Sequence, residues 1–344
     1  MRVVITGVTG QDGSLMADFL LKNTEAEVVG AVRRLSVPNH SNIAHLKDNS
    51  RFRLVNLDVT DPESISYLIK SESPQYYINF AANSFVGSSW EMPVNHFLTN
   101  SLGVLYSLEA IRKYSPLTKF YNAGSSEQFG DVSYSPQDIN HPFKPRSPYG
   151  ASKCSAHHLV KVYRESYGLY AVQGILFNHE GVRRGEEFVS RKITKGVANI
   201  KRCMDLKMPF DAISLGNLDS KRDWSDAEDL LPGIWRMLNL KDPKDYVLAS
   251  GDCHSIRDFV EKAFSVLGIR GEWSGSGMQE VFRDIQNRIL VGINEKFFRP
   301  AEVDLLMGDI SEARVGLGWS PSSTFNDLVT KMTRNDYDIA RKAI

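Results

Sequence analysis

The chain has 344 residues, of which 42% are hydrophobic and 24% charged, and its 41 basic residues balance its 41 acidic ones. This length can form a packed core in one large domain or in two unequal ones. Because zero net charge gives no general attraction for nucleic acid or for an anionic membrane, we expect neither as a partner and favour a small-molecule ligand held by a local charge cluster.

The cysteines Cys154, Cys203 and Cys253 stand far apart in the sequence. Their spacing predicts neither a disulfide framework nor a cysteine-based zinc site, and we expect no metal. No apolar stretch approaches the roughly 18 residues that span a bilayer. The sequence therefore predicts a cytoplasmic protein.

The first two thirds of the chain alternate short apolar runs with amphipathic stretches. The apolar runs predict strands at residues 2–6, 27–32, 52–57, 76–80, 119–123 and 171–176. Apolar residues at spacings of three and four predict helices at 14–21, 63–70, 103–114 and 149–167. This alternation is typical of an α/β fold with a doubly wound parallel sheet.

The rhythm breaks after residue 177 into loops rich in Gly, Pro and charge, with helices predicted near 189–202, 227–238 and 256–267. We interpret residues 1–177 as a dinucleotide-binding domain that also carries the catalytic residues. Residues 178–344 are interpreted mainly as a smaller, mixed α/β substrate lobe, with some segments returning to the first domain.

A glycine-rich turn joins the first predicted strand to the first helix. Its GxxGxxG spacing allows a tight turn and the close approach of a pyrophosphate to a helix N-terminus, as in Rossmann-type folds. The predicted cofactor-binding residues of this turn are Gly7, Thr9, Gly10, Gln11, Asp12 and Gly13.

The end of the second predicted strand carries Arg33 and Arg34, where an NAD site usually has an acidic residue. Two guanidinium groups could bind a 2′-phosphate, so the sequence favours NADP as the cofactor. Asp58 and Val59, after the third strand, are suited to contact the adenine.

Tyr149 and Lys153 lie at positions i and i+4 of a predicted helix, which places them on one face. Ser147 is the predicted N-cap of this helix and Pro148 its first residue. A tyrosine that acts as a base at neutral pH needs a pKa about three units below its usual value near 10. We expect the Lys153 ammonium and a positively charged nicotinamide to supply that field.

Ser125 and Glu127 follow the fifth predicted strand. The carboxyl ends of parallel strands meet at one edge of the sheet, so these residues should lie near the glycine-rich turn. Ser125 could donate a hydrogen bond to a substrate oxygen, and Glu127 could act as a general acid and base.

With these motifs, the sequence resembles the extended short-chain dehydrogenase/reductase family and, within it, the GDP-mannose 4,6-dehydratases. The resemblance covers nearly the whole chain. The stretches that carry it are residues 6–13, 32–34, 81–84, 125–127, 147–153, 177–180, 183–185, 216–219, 222–224 and 298–304.

The resemblance implies a reaction in which Tyr149 takes the C4 hydroxyl proton while the C4 hydride passes to NADP, giving a 4-keto sugar. Glu127 then removes the C5 proton and protonates the departing C6 hydroxyl, and the hydride returns to C6. Lys153 would hold the nicotinamide ribose and Ser125 the C4 oxygen. The product would be GDP-4-keto-6-deoxymannose.

The resemblance also implies further binding residues. Additional cofactor contacts would come from Ala81, Ala82, Ser84, Lys153, His179 and Arg184. The substrate would be bound by Ser84, Ser125, Glu127, Tyr149, Asn178, Val189, Lys192, Gly216, Arg222, Arg299 and Glu302. Arg222 and Arg299 would face the pyrophosphate, with Glu302 on the ribose, and the family implies a homo-oligomer, either a dimer or a tetramer.

Two alternatives of related chemistry stay open at this point. The substrate could be another GDP-linked manno-sugar, such as GDP-manno-heptose, or the chain could be a GDP-4-keto-6-deoxysugar reductase or epimerase. Ser126 stands where the glucose-type dehydratases carry an Asp, which favours the GDP-mannose type. A reductase or epimerase would not need the carboxylate of Glu127.

Overall fold

The strands and helices follow from a computed structural model, which describes residues 1–298 and 305–342. The strands are β1 (Arg2–Thr6), β2 (Glu27–Val32), β3 (Phe52–Asn56), β4 (Tyr76–Asn79), β5 (Lys119–Ala123), β6 (Ala171–Leu176), β7 (Asn178–Glu180), β8 (Ile213–Leu215), β9 (Lys221–Asp226), β10 (Tyr246–Leu248), β11 (Cys253–Ser255), β12 (Gly271–Ser274), β13 (Val281–Asp284), β14 (Ile289–Ile293) and β15 (Leu305–Leu306). The helices are α1 (Gln11–Asn23), α2 (Pro62–Glu72), α3 (Pro93–Phe97), α4 (Gly103–Tyr114), α5 (Pro148–Tyr167), α6 (Val189–Asp205), α7 (Ala227–Leu238), α8 (Ile256–Val266), α9 (Ser311–Leu317) and α10 (Phe325–Lys342).

Within the described residues, seven strands form a large parallel sheet in the order β10-β6-β5-β4-β1-β2-β3. The order reverses between β1 and β4, so the chain winds outward in both directions from that point. This arrangement confirms the predicted doubly wound α/β fold. A ligand crevice is expected where the order reverses, beyond the carboxyl ends of β1 and β4.

Helices cover both faces of the large sheet, and each face has its own apolar core. On one face, Met16 and Leu20 of α1 pack with Ile234 of α7. On the other, Leu108 of α4 and Val160 of α5 are fully buried, together with residues of α2. Because apolar side chains are removed from water on both faces, most residues of these strands are buried, as is typical of parallel sheets. The edge strand β3 is the exception, since none of its residues is buried.

The second half of the sequence contributes two smaller four-stranded groups. One has the order β12-β13-β14-β8, and in the other β9 lies between β11 and β15 and also pairs with β7. A third core forms where α6, α8 and α10 meet, around Val197, Phe259 and Met332. From this half of the sequence, β10 joins the large sheet by pairing with β6.

The helix that carries Tyr149 begins as predicted. The Ser147 side chain accepts a hydrogen bond from the Gly150 N–H at 3.0 Å, and Pro148 is the first helical residue. The helix ends at Gly168, which adopts a left-handed conformation with φ of 69°. In the part of the chain that the structure describes, no helix has both the length and the apolar character needed to span a membrane.

Candidate active site

A cavity of about 880 Å³ opens at the carboxyl ends of the large sheet. It brings together most of the residues predicted from the sequence, although they come from both halves of the chain. The predicted residues in its wall are Gly7, Thr9, Gly10, Gln11, Asp12, Gly13, Arg33, Asp58, Val59, Ala81, Ala82, Ser84, Ser125, Glu127, Tyr149, Lys153, Asn178, His179, Arg184 and Arg222.

The glycine-rich turn leaves its backbone open to the cavity. Gly7 has a φ of 66°, and a Cβ atom built there would lie 2.8 Å from the Ala81 nitrogen. A side chain at Gly13 would collide with the backbone of Gly7 and Val8. Gly10 precedes the first residue of α1, so unpaired N–H groups of the helix face the space that a pyrophosphate would fill. The turn therefore fits a dinucleotide.

His179 and Asp12 form an ion pair beside this turn. The ring Nδ1 of His179 lies 2.7 Å from the Phe177 carbonyl oxygen and Nε2 lies 2.9 Å from Asp12 Oδ2. Because both partners are acceptors, this geometry favours the doubly protonated ring. Burial acts to lower the pKa of His179, but the Asp12 charge and hydrogen bond raise it above its usual value. Burial acts to raise the pKa of Asp12, but the charge and hydrogen bond of His179 lower it to about 2. The pair fixes β7 against the start of α1.

The two arginines after β2 are separated by the fold. Both side chains are exposed, but Arg33 lines the cavity and Arg34 does not belong to the cavity wall. Asn39, Ser41 and Asn42 line the wall in its place, and the Asn42 side chain donates to the Thr9 carbonyl oxygen at 3.0 Å. Sequence reasoning missed these three polar residues, although such a cluster following an arginine pair is a usable signal for a phosphate-binding loop.

Ser125, Tyr149 and Lys153 converge at the end of β5. The Ser125 side chain forms a hydrogen bond with that of Tyr149, and the Lys153 ammonium donates to the Ala123 carbonyl oxygen at 2.8 Å. Lys153 Nζ lies 5.8 Å from the centroid of the Tyr149 ring. Glu127 stands in the same wall, within the short 3₁₀ helix Ser126–Gln128 that Ser125 caps. A hydroxyl donor, a phenol, an ammonium and a carboxylate thus share one site.

Burial shifts the pKa values of two of these groups. It raises the pKa of Tyr149 to about 12, against the lowering effect of the Ser125 hydrogen bond. It lowers the pKa of Lys153 to about 8. The expected lowering of the Tyr149 pKa is therefore not a property of the protein alone. Any proton transfer to Tyr149 at neutral pH needs positive charge from a bound ligand as well.

The segment 181–188, here called the arginine turn, forms one side of the cavity. The Arg184 guanidinium stacks 3.5 Å from the centroid of the Phe188 ring, and its Nε lies 3.0 Å from Glu180 Oε2. Arg183 binds α1, at 2.7 Å from Asp18 Oδ2. Glu180 is buried and also accepts a hydrogen bond from Ser190. These contacts fix the arginine turn between β7, α1 and α6.

Three predicted substrate residues lie outside the cavity wall. Val189 begins α6. The Lys192 ammonium sits 3.1 Å from the centroid of the Phe297 ring, and a Cβ atom at Gly216 would lie 2.5 Å from the Phe297 carbonyl oxygen. Lys192 and Gly216 therefore meet at Phe297, a residue that sequence reasoning did not single out. The predicted residues Arg299 and Glu302 lie outside the described residues.

Among residues 1–298 and 305–342, no group of three or more His, Cys, Asp or Glu side chains is arranged to hold a metal ion.

Comparison with known protein families identifies the chain. Residues 4–332 match the model of the family described as GDP-mannose 4,6 dehydratase. The chain belongs to this family. The GDP-mannose 4,6 dehydratase of Drosophila melanogaster is 43% identical over 98% of this chain and 87% of the relative. The GDP-mannose 4,6-dehydratase of Sinorhizobium fredii (strain HH103) is 41% identical over 98% of this chain and 97% of the relative.

Solved structures of more distant proteins share the fold of this GDP-mannose 4,6-dehydratase family member. DesIV, a dTDP-glucose 4,6-dehydratase from Streptomyces venezuelae solved with NAD and TYD bound, superposes with a TM-score of 0.83 at 21% identity. The match covers 99% of this chain and 98% of that one. RMD from Pseudomonas aeruginosa, solved with NADPH, superposes with a TM-score of 0.77 at 21% identity and covers 98% and 99% of the two chains. At this identity the likeness supports the Rossmann-type fold.

Proposed function

We propose that this chain catalyses the NADP-dependent dehydration of GDP-mannose to GDP-4-keto-6-deoxymannose. The observation that carries the proposal is the shared wall of one cavity: Tyr149, Lys153, Ser125 and Glu127 stand there with the glycine-rich turn and Arg33. Relatives about 40% identical over nearly the full chain carry the name GDP-mannose 4,6-dehydratase. Geometry and family membership thus support the same reaction.

The cavity fits the proposed cofactor. The glycine-rich turn and the N-terminus of α1 would receive the pyrophosphate, and Arg33 would bind the 2′-phosphate. Asp58 and Val59 would contact the adenine, and further cofactor contacts would come from Ala81, Ala82, Ser84, Lys153, His179 and Arg184. Bound there, NADP supplies the chemistry of accepting the C4 hydride and returning it to C6.

The first proton transfer is assigned to Tyr149. Its phenolate oxygen takes the C4 hydroxyl proton, and the Ser125 hydroxyl, already bonded to Tyr149, donates a hydrogen bond to the C4 oxygen. Lys153 supplies positive charge beside the ring, which favours the phenolate. Once the C4 hydride has also left the sugar, C4 is a ketone, and it makes the C5 proton more acidic.

Elimination is assigned to Glu127. Its carboxylate removes the C5 proton and delivers it to the C6 hydroxyl, which leaves as water. The hydride then adds to C6 and C5 takes up one proton, which restores the saturated ring. This proton balances the one that was removed from the C4 hydroxyl. The balance is loss of one water with no net oxidation.

The nucleotide of the substrate is assigned to the second half of the chain. Asn178 and Arg222 face the cavity, and Lys192 and Gly216 lie beside Phe297. With them, the proposed substrate residues Val189, Arg299 and Glu302 complete the set. Guanidinium and ammonium groups suit the phosphate oxygens of GDP. In this assignment residues 1–177 bind the cofactor and residues 178–344 mainly bind the GDP-sugar.

The curated relatives give no support to the two alternatives, another GDP-manno-sugar or a reductase or epimerase reaction. A labelling experiment separates them. GDP-mannose deuterated at C4 is incubated with the protein and catalytic NADP, and the sugar nucleotide is analysed by mass spectrometry and NMR. We expect loss of one water and transfer of the deuterium to the C6 methyl group. Unchanged GDP-mannose, or stoichiometric consumption of the cofactor, would contradict the proposal.

Two further properties belong to the proposed function. A homo-oligomer is supported by exposed apolar residues on neighbouring helices, Tyr114 of α4 with Val162 and Tyr167 of α5. Light scattering coupled to size-exclusion chromatography tests it, with a dimer or tetramer expected and a monomer contradicting it.

A cytoplasmic location is supported by the free cysteines Cys154, Cys203 and Cys253, and localisation of the tagged protein in its own cells tests it.

A further inference from the structure

The C-terminal helix α10 reaches the cavity through one buried ion pair. Asp336 is 3% exposed, and its Oδ1 lies 3.0 Å from Nη2 of Arg191, in the first turn of α6. Its other oxygen accepts a hydrogen bond from the Thr194 hydroxyl at 2.6 Å. The carboxylate therefore has a fixed orientation. Arg191 itself lines the cavity.

Arg191 continues this link to the arginine turn. Its Nη1 donates a hydrogen bond to the Val182 carbonyl oxygen, at the start of the turn. The backbone N–H of Arg184 closes the turn by donating a hydrogen bond to the Gly181 carbonyl oxygen at 3.1 Å. The Arg184 guanidinium then packs on Phe188, one residue before α6. Asp336 is thus joined to a predicted cofactor contact through one intermediate side chain.

The position of this ion pair argues for more than packing. The interface between α6 and α10 has an apolar centre, in which Val197, Val329 and Met332 are buried. At its edge, the Tyr337 hydroxyl donates a hydrogen bond to Asp205. A buried ion pair costs so much desolvation that apolar residues of similar volume stabilise such an interface equally well. The charged pair also fixes the orientation of the Arg191 guanidinium, because a carboxylate that binds one edge of the group sets the direction of its remaining N–H groups.

We propose that Asp336 is a positioning residue for the cofactor: through Arg191 it holds the arginine turn where Arg184 faces NADP. The inference rests on the proposed function, since it takes NADP as the ligand. It extends the site to α10, a helix near the C-terminus that has no residue of its own in the described cavity wall.

The test measures NADP affinity by calorimetry on nucleotide-free protein, so that turnover is not needed. Asp336→Asn should weaken NADP about tenfold, equivalent to about 1.4 kcal/mol. The matched control is Asp338→Asn, since Asp338 lies on the same helix, is exposed and pairs with Arg341 alone among the ion pairs described. It should bind NADP as the wild type does. Equal affinity of Asp336→Asn and the wild type would overturn the inference.

A second variant separates positioning from loss of stability. Asp336→Asn leaves Arg191 buried without its counter-ion, which destabilises the fold. The double variant Arg191→Met, Asp336→Asn removes both charges and should recover most of the melting temperature. Its NADP affinity should stay about tenfold low because the turn has lost its support. Recovery of affinity together with stability would assign Asp336 a structural role and overturn the proposal.

A double-mutant cycle identifies Arg184 as the residue that Asp336 acts through. Introduced into Arg184→Ala, Asp336→Asn should cost little further affinity, because the guanidinium that it positions is already absent. Additive losses would contradict the inference. If the wild type itself does not bind NADP, the proposed function fails. If the wild type binds and the cycle is additive, only the role of Asp336 fails.

Discussion

The two halves of the chain hold their functional groups in different ways. In the large sheet, Gly7 and Arg33 follow directly after a parallel strand and Ser125 comes two residues after one, so the backbone register places them. In the second half, Arg184 and Arg191 lie near the cavity because buried carboxylates pair with them. A substitution in the sheet half should remove one chemical step. A substitution in the other half should move the site, even from a distance.

The largest effect expected in the sheet half is that of Tyr149→Phe. Loss of the phenol removes the group assigned to the first proton transfer, and general base catalysis contributes about 10²–10⁴-fold. We expect turnover to fall within that range, measured as dehydrated sugar nucleotide. NADP affinity and melting temperature should stay near those of the wild type. A large loss of NADP affinity in Tyr149→Phe would show that a substitution in the sheet half also disturbs the binding site, which contradicts the distinction between the two halves.

Glu127→Gln should interrupt the reaction one step later. The amide cannot take the C5 proton, so dehydration should fall about 100-fold, at the lower end of the range for such catalysis. Oxidation at C4 should still occur, and reduced cofactor should accumulate on the enzyme as near-ultraviolet absorbance. Tyr149→Phe, which blocks the earlier step, is the matched control and should accumulate none. Wild-type dehydration by Glu127→Gln would remove this residue from the mechanism.

The pH dependence should follow Lys153, whose pKa is lowered by burial to about 8. The ammonium is present below that pH and is lost above it, so turnover should fall by up to about tenfold per pH unit on the alkaline side. The contribution of Lys153 to the free energy of unfolding changes in the opposite direction, because it increases as the pH rises. Between pH 8 and the ordinary lysine pKa of 10.5, the unfolded chain binds more protons, so unfolding becomes less favourable as pH rises.

The control for this pH profile is Lys153→Arg. A guanidinium stays charged over the whole range, so whatever activity remains should lose the alkaline fall. If the fall persists unchanged in Lys153→Arg, another group controls it.

The sequence predicted the large sheet closely because most of its strands, though not the edge strand β3, are buried on both faces. Four of the six predicted strands have the predicted bounds, and 52–57 and 76–80 are each one residue shorter. Continuous apolar runs bounded by polar turns carry that information locally. The glycine-rich turn and the pair Tyr149 and Lys153 could be identified for the same reason, since each depends on neighbours in sequence.

The second half could not be predicted to the same extent. Its short strands, such as Leu305–Leu306, exist because a distant strand pairs with them, here Lys221–Asp226. The contact of Lys192 with Phe297 and that of Arg191 with Asp336 also join residues far apart in the chain. No local pattern encodes such a pair. Arg33 and Arg34 are adjacent in the sequence, yet only Arg33 lines the cavity.

Arg33 and Arg34 therefore form a matched pair of test positions. Arg33→Ala should weaken NADP about tenfold or more, since a hydrogen bond to a charged group is worth about 1.5–3 kcal/mol. It should leave NAD affinity unchanged, because NAD has no 2′-phosphate. Arg34→Ala, outside the cavity wall, should alter neither affinity. Calorimetric titration with both cofactors measures this, and equal losses for NADP and NAD would refute the 2′-phosphate assignment.

The smallest effect is expected from two helix caps, and it compares the halves most directly. Ser147 caps α5 and Ser255 caps α8, and both are 9% exposed. Replacing either by alanine should cost about 1 kcal/mol of unfolding free energy. Ser147→Ala should also lower kcat, because Tyr149 lies in the first turn that this cap orders. Ser255→Ala should leave kcat unchanged, because α8 contributes no residue to the cavity wall. Chemical denaturation and steady-state kinetics on both variants measure the comparison. If Ser147→Ala and Ser255→Ala have equal kcat values, the strands and the packing of α5 fix Tyr149 without help from the Ser147 cap.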